Sequence, residues 1–246
     1  MRASTIIGAA GVMLAAGTVL AGPNSAWSIS ATSGGRTSTW TVPGEWLLEG
    51  GSHRVDMGEF GYADLAIGWP SERGDDCPSV TVNFGATAAS GLDTMFTLTS
   101  AKLTIPTTGN TFGRLTSDLK VTDANASGAA TFTGTLPNGD GVGGFINGDA
   151  FVDATLVTSA FPSLVAPGEG MNTDEFDSGC ITLTGVESLQ LAWSFLLTAG
   201  DSAMGNAQFI VCDDCAQVVP LPGAAAMGLS ALLALGARRR RIEGQR

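Results

Sequence analysis

The chain has 246 residues, 23 acidic and 12 basic side chains, a formal charge of −11 and a single histidine. That charge balance is repelled by nucleic acid and by anionic lipid, and it excludes a nucleic-acid partner. The single imidazole, His53, removes multi-histidine metal centres, and Ser52, His53 and Asp56 are read as structural residues rather than as a hydrolytic triad.

Residues 1–21 read as a secretory signal peptide. Arg2 supplies the basic start, Ile6 to Leu20 form an uncharged apolar run, and Val19-Leu20-Ala21 offers small residues for cleavage after Ala21, with Ala26 as the second choice. Residues 22–217 then form the exported domain, about the size of one large domain. This stretch holds 22 acids against six bases, a net of −16, because the basic residues concentrate at the chain ends.

Within the domain, short apolar alternations are separated by Gly, Asn, Asp and Pro. Val80, Val82 and Phe84 share one face, and Phe96, Leu98, Leu103 and Ile105 follow. Leu119–Val121, Ala130–Thr133, Phe151–Val157 and Ile181–Leu183 continue the series. Leu189, Leu191, Trp193 and Phe195 give the cleanest period of two, and Phe209 and Val211 close it. Threonine between apolar residues suits a pleated surface with one face wet. No helical repeat of useful length and no fixed-period internal repeat appears, so the expected fold is all-β, a β-sandwich of jelly-roll type. Residues 162–179 read as a long surface loop, and 70–78 as a second.

Four cysteines, Cys77, Cys180, Cys212 and Cys215, are an even number in an exported chain and imply two disulfides with three possible pairings. The favoured pairing is Cys77–Cys180 with Cys212–Cys215. The C-x-x-C of Cys212 and Cys215 follows a strand and encloses Asp213 and Asp214, which disfavours a redox-active thiolate. If Cys77 meets Cys180, Asp75 and Asp76 approach Asp174, Glu175 and Asp177. These five are the candidate ligands for a metal, with calcium as the possible cofactor and solvated loops as the plainer reading. No pair of carboxylates stands out as catalytic. Trp27, Trp40, Trp46, Trp69 and Trp193 are candidates for sugar stacking, with Trp193 expected in the core and Trp40 and Trp46 around a turn.

The C-terminus, residues 218–246, differs in character. Val219-Pro220-Leu221-Pro222 forms a hinge, Gly223 to Ala237 is an uncharged run of 15 residues, and Arg238, Arg239, Arg240 and Arg241 end it. As helix the run spans about 22 Å, short of the roughly 30 Å hydrocarbon core, and the arginines extend it by snorkelling and stay cytoplasmic. This layout resembles the PEP-CTERM sorting signal, in a variant with Leu221 where the family pattern has Glu. The resemblance implies export, recognition by an exosortase-type membrane enzyme, and delivery to the cell envelope, outer surface or extracellular matrix, with membrane anchoring that is at least transient. The function expected is therefore a structural or adhesive role without catalysis, with extracellular polysaccharide as a possible partner. The alternative is a carbohydrate-binding or carbohydrate-active sandwich.

Overall fold

The computed structural model describes residues 27–42, 52–68, 77–105, 110–126 and 128–214. The signal peptide, Trp46, Trp69, Asp75, Asp76, Cys215, Val219–Pro222 and Arg238–Arg241 lie outside the described residues, and so do the expectations that rest on them. Among the described residues, no helix is long and apolar enough to cross a membrane.

The first strands are β1 (Trp27–Ser33), β2 (Arg36–Val42), β3 (Ser52–Asp56), β4 (Gly61–Gly68), β5 (Ser79–Thr87), β6 (Thr94–Thr99) and β7 (Leu103–Thr104). Then come β8 (Asn110–Thr122), β9 (Ala130–Gly134), β10 (Val142–Ile146), β11 (Thr155–Ala160) and β12 (Ser163–Ala166). The series ends with β13 (Met171–Asp177), β14 (Ile181–Thr184), β15 (Ser188–Leu197) and β16 (Ser202–Cys212). One 3-10 turn, Gly58–Phe60, links β3 to β4.

These strands form two antiparallel sheets packed as a sandwich. The first contains β11, β10, β15, β6, β1 and β2 in that order, with β12, β9 and β7 continuing broken strands. The second contains β13, β8, β16, β5, β4 and β3, with β14 continuing β13 along β8. The pairing shows how the chain winds. β5 pairs with β16, β6 with β15, β8 with β13, and β10 with β11, so the segment from β5 to β16 is a folded-over ribbon whose halves run side by side. Wrapped into two sheets, that ribbon is the jelly roll. The hairpins β1–β2 and β3–β4 extend one side of each sheet.

The expected faces are present. Val80, Val82 and Phe84 are buried, as are Leu189, Leu191, Trp193 and Phe195. Phe195 from the first sheet stacks on Phe84 from the second, with ring centroids 5.1 Å apart, and also on Phe96 at 5.3 Å and Phe132 at 4.6 Å. Trp193 meets Phe84 edge-on at 5.0 Å. Offset and edge-on geometries of this kind add to the burial of large apolar area. Glycine makes room for them: a Cβ on Gly205 would lie 2.5 Å from the Phe84 ring, and one on Gly144 would lie 2.9 Å from that of Phe209.

Three expectations need correction. First, β15 is covered along most of its second face, because Gln190, Ala192 and Ser194 are buried too and only Leu196 is exposed. The segments around β10 cover them: the Ala150 N–H donates to Gln190 Oε1 at 2.7 Å, and Thr135 and Ser194 join their hydroxyls at 2.7 Å. Second, residues 162–179 are not one loop, since they hold β12 and β13. Six of the seven β13 residues are exposed because the strand is an edge bonded only to β8, so no apolar alternation marks it. Third, the expected strand at 151–157 begins only at Thr155, after a turn that puts Phe151 at positive φ.

The disulfide pairing also differs from the expectation. Cys77 is bonded to Cys212, with Cα atoms 5.0 Å apart. The β5–β16 register sets this: Ser79 faces Ile210, and the Val211 N–H donates to Pro78 O at 3.0 Å, which brings Cys77 beside Cys212. Cys180 is itself disulfide-bonded, to a residue outside the described ones.

Candidate functional site

Inward positions of the second sheet are apolar, so every second residue of its strands builds an outer face. Cross-strand register aligns those residues in rows. One row runs from edge to edge as Glu175, Asp118, Asn206, Asn83, Asp64 and Arg54. Six strands at about 4.8 Å spacing make it roughly 24 Å long. The next row is Thr173, Lys120, Met204, Gly85, Tyr62 and Asp56. Together they form a sheet face of amides, carboxylates and two cations around one aromatic ring.

The ring belongs to Tyr62, the single tyrosine of the chain. It lies over Gly85, where a Cβ would come within 2.7 Å of the Tyr62 ring. Arg54 caps it, with its guanidinium 4.3 Å from the ring centroid. Arg54 is held in that pose by a fork to Asp64, Nε to Oδ1 at 2.7 Å and Nη2 to Oδ2 at 2.6 Å.

At the other end of the row, Asn206 Nδ2 donates to Asp118 Oδ2 at 3.1 Å. Burial pushes the Asp118 carboxyl above its ordinary range; the Asn206 donation opposes that, and the facing charge of Glu175 adds to it. Asn83 Oδ1 is buried and accepts no hydrogen bond within the protein. The face thus offers carboxylates, side-chain amides and two cations, with the Tyr62 ring held between Gly85 and the Arg54 guanidinium, a set of hydrogen-bonding groups suited to hydroxyl-rich polymers.

The residues singled out from sequence fall elsewhere. Asp174 and Glu175 alternate along the exposed edge strand β13, so they point to opposite faces. Asp177 is engaged by Arg114, Nε to Oδ1 at 2.7 Å with a second contact between Nη2 and Oδ2, and that guanidinium holds its carboxyl below the ordinary range. The expected convergence with Asp75 and Asp76 required a Cys77–Cys180 bridge, and Cys77 is bonded to Cys212 instead. Among the described residues, no three or more His, Cys, Asp or Glu side chains gather as a metal-binding group. His53 is half-buried on the inner side of the edge strand β3.

Of the tryptophans, Trp27 and Trp193 are buried in the core. Trp40 is half-buried and packs edge-on against Phe60 at 6.1 Å. The sequence reading missed the outer face because polar residues at alternate strand positions look like ordinary wet positions. Only the register shows that they line up.

No protein-family model matches the chain, and no curated protein sequence does. Among solved structures, it is similar to the K3 cleaved adhesin domain of Lys-gingipain from Porphyromonas gingivalis, with 15% identity and a TM-score of 0.27 over 53% of this chain and 74% of that one. The K1 cleaved adhesin domain of the same protein matches at 14% identity and a TM-score of 0.28, over 65% of this chain and 89% of that one. A glycoside hydrolase domain, Endo-D from Streptococcus pneumoniae, matches at 14% identity and a TM-score of 0.23, over 66% of this chain and 22% of that one. These likenesses are too slight to bear on function.

Proposed function

We propose that the chain is an exported, non-catalytic protein of the cell envelope or extracellular matrix, whose jelly roll adheres to hydroxyl-rich matrix polymer through the outer face of the second sheet. The observation that carries this reading is the edge-to-edge polar row from Glu175 to Arg54, with the Arg54-capped Tyr62 beside it. The Cys77–Cys212 bond favours an oxidising compartment. In this reading the tail, Val219–Pro222 with Arg238–Arg241, directs sorting through an exosortase-type enzyme.

Affinity electrophoresis of the domain through gels containing the producing cell's polysaccharide tests the binding. Retardation that weakens in Tyr62→Ala and Asn206→Ala is expected; identical mobility with and without polymer would contradict it. A second reading, a carbohydrate-active sandwich, draws on the facing pair Asp118 and Glu175, one of them with a raised carboxyl. Release of reducing ends from the polymer, abolished in Asp118→Asn, would favour that reading over simple adhesion.

A further inference from the structure

One end of the β8–β16 ladder closes on two aspartates. Ser202 pairs with Thr122, so Asp201 and Asp123 stand opposite each other one step beyond. Alternation places them on the side of Val121 and Ala203, both buried on the inner face. Asp123 is 7% exposed and Asp201 is 2% exposed.

Loops converge on this pair. The Glu169 N–H donates to Asp123 Oδ2 at 2.8 Å, and the Asp123 N–H donates to Gly170 O at 3.0 Å. Thr198 Oγ1 donates to Asp201 Oδ2 at 2.6 Å, and the Ala88 N–H donates to Asp201 O at 2.9 Å. Asn125 Nδ2 reaches Ala199 O at 2.5 Å and ties two of the loops together. The Gly128 carbonyl lies at the same end, 2.6 Å from where a Cβ on Gly168 would stand.

The Glu169 and Thr198 bonds engage Oδ2 of each aspartate. Oδ1 of each is buried and accepts no hydrogen bond. The Glu169 N–H holds the Asp123 carboxyl below its ordinary range against the opposing effect of burial, with smaller contributions from hydrogen bonds by the Ala126 N–H, by the Asp201 carboxyl in its protonated form, and by the Gly128 N–H. With both carboxyls ionised, like charges directly opposite destabilise a ladder, and a buried carboxylate oxygen without a partner is costly. A cation between the two Oδ1 atoms removes both penalties.

The available donors are all oxygen. Zinc favours nitrogen and sulfur. Magnesium requires near-octahedral geometry, whereas calcium accepts carboxylate, carbonyl and water oxygens in an irregular shell. We propose that Asp123 and Asp201 bind one calcium ion through their Oδ1 atoms, with loop carbonyls and water completing the shell, and that this ion locks the loops onto the end of the sandwich. The site is independent of the outer face and of the acidic residues that the sequence singled out.

Thermal melting of the full exported chain, in chelator and in calcium, tests this. Calcium at about 100 times its dissociation constant should raise the melting temperature by roughly 5 to 10 °C. Asp201→Asn should abolish that response. It should also melt at or above the wild type in chelator, because the amide removes the facing charge and donates to Asp123. Asp123→Asn should likewise lose the response. A wild type that ignores calcium, or an Asp201→Asn variant that keeps the full response, would overturn the site. A wild type stabilised by acid but not by calcium would replace the ion with a shared proton and equally overturn it. A response to magnesium alone would overturn the assignment to calcium.

Discussion

Cys77 and Cys212 join the two ends of the folded-over ribbon, one just before β5 and one at the end of β16. The bond spans a sequence separation of 135, so it links the first and last strands of the jelly roll covalently. It restrains the unfolded chain over nearly the whole ribbon, and the chain-entropy model gives about 5 kcal/mol for a loop of that size.

The paired variant Cys77→Ala/Cys212→Ala should therefore unfold at markedly lower denaturant, with a loss of about 3 to 5 kcal/mol. Non-reducing peptide mapping of the wild type should recover the 77–212 cross-link. Recovery of a Cys77–Cys180 peptide instead would contradict the register of β5 on β16.

Gly205 is a packing position. A Cβ there would stand 2.5 Å from the Phe84 ring and 3.1 Å from Trp193, in the aromatic stack that joins the sheets. Gly205→Ala should lose about 1 to 3 kcal/mol in chemical denaturation, as overpacked cores do. Unchanged stability would mean that the stack has slack.

The Arg114–Asp177 fork predicts a pH effect with a definite sign. Arg114 lowers the Asp177 carboxyl in the folded state, so the contribution is present above the unfolded carboxylate pKa and fades as pH falls through the folded value. With the Asp177 side chain 47% exposed, it is worth no more than about 1 kcal/mol. Asp177→Asn should cost that amount near neutrality and nothing in strong acid. Melting curves from pH 7 to pH 2 should show the two proteins converging, and a gap that widened towards acid would contradict the pairing.

Much of the sandwich is visible in the chain itself, because period two survives wherever one strand face is buried. Val80 to Phe84 and Leu189 to Phe195 show it plainly. β13 is invisible because an exposed edge strand has no apolar side to mark it. The covered second face of β15 is hidden for the opposite reason: small and polar residues such as Ala192 and Ser194 suit a wet face and a tightly covered one equally well. The cysteine pairing depends on which strands become neighbours, and the four positions leave three choices open. The Asp123–Asp201 pair and the row from Glu175 to Arg54 are products of register, so neither can be read before strand partners are known.

The account's central claim is adhesion to the matrix through one sheet face, and fractionation of producing cells tests it most directly. Wild-type protein and the double variant Tyr62→Ala/Asn206→Ala, both surface positions outside the core, would be compared across washed matrix and culture fluid. Wild type is expected in the matrix and the folded double variant shifted to the fluid. Equal retention of the two proteins, or wild type found free in the fluid, would contradict it.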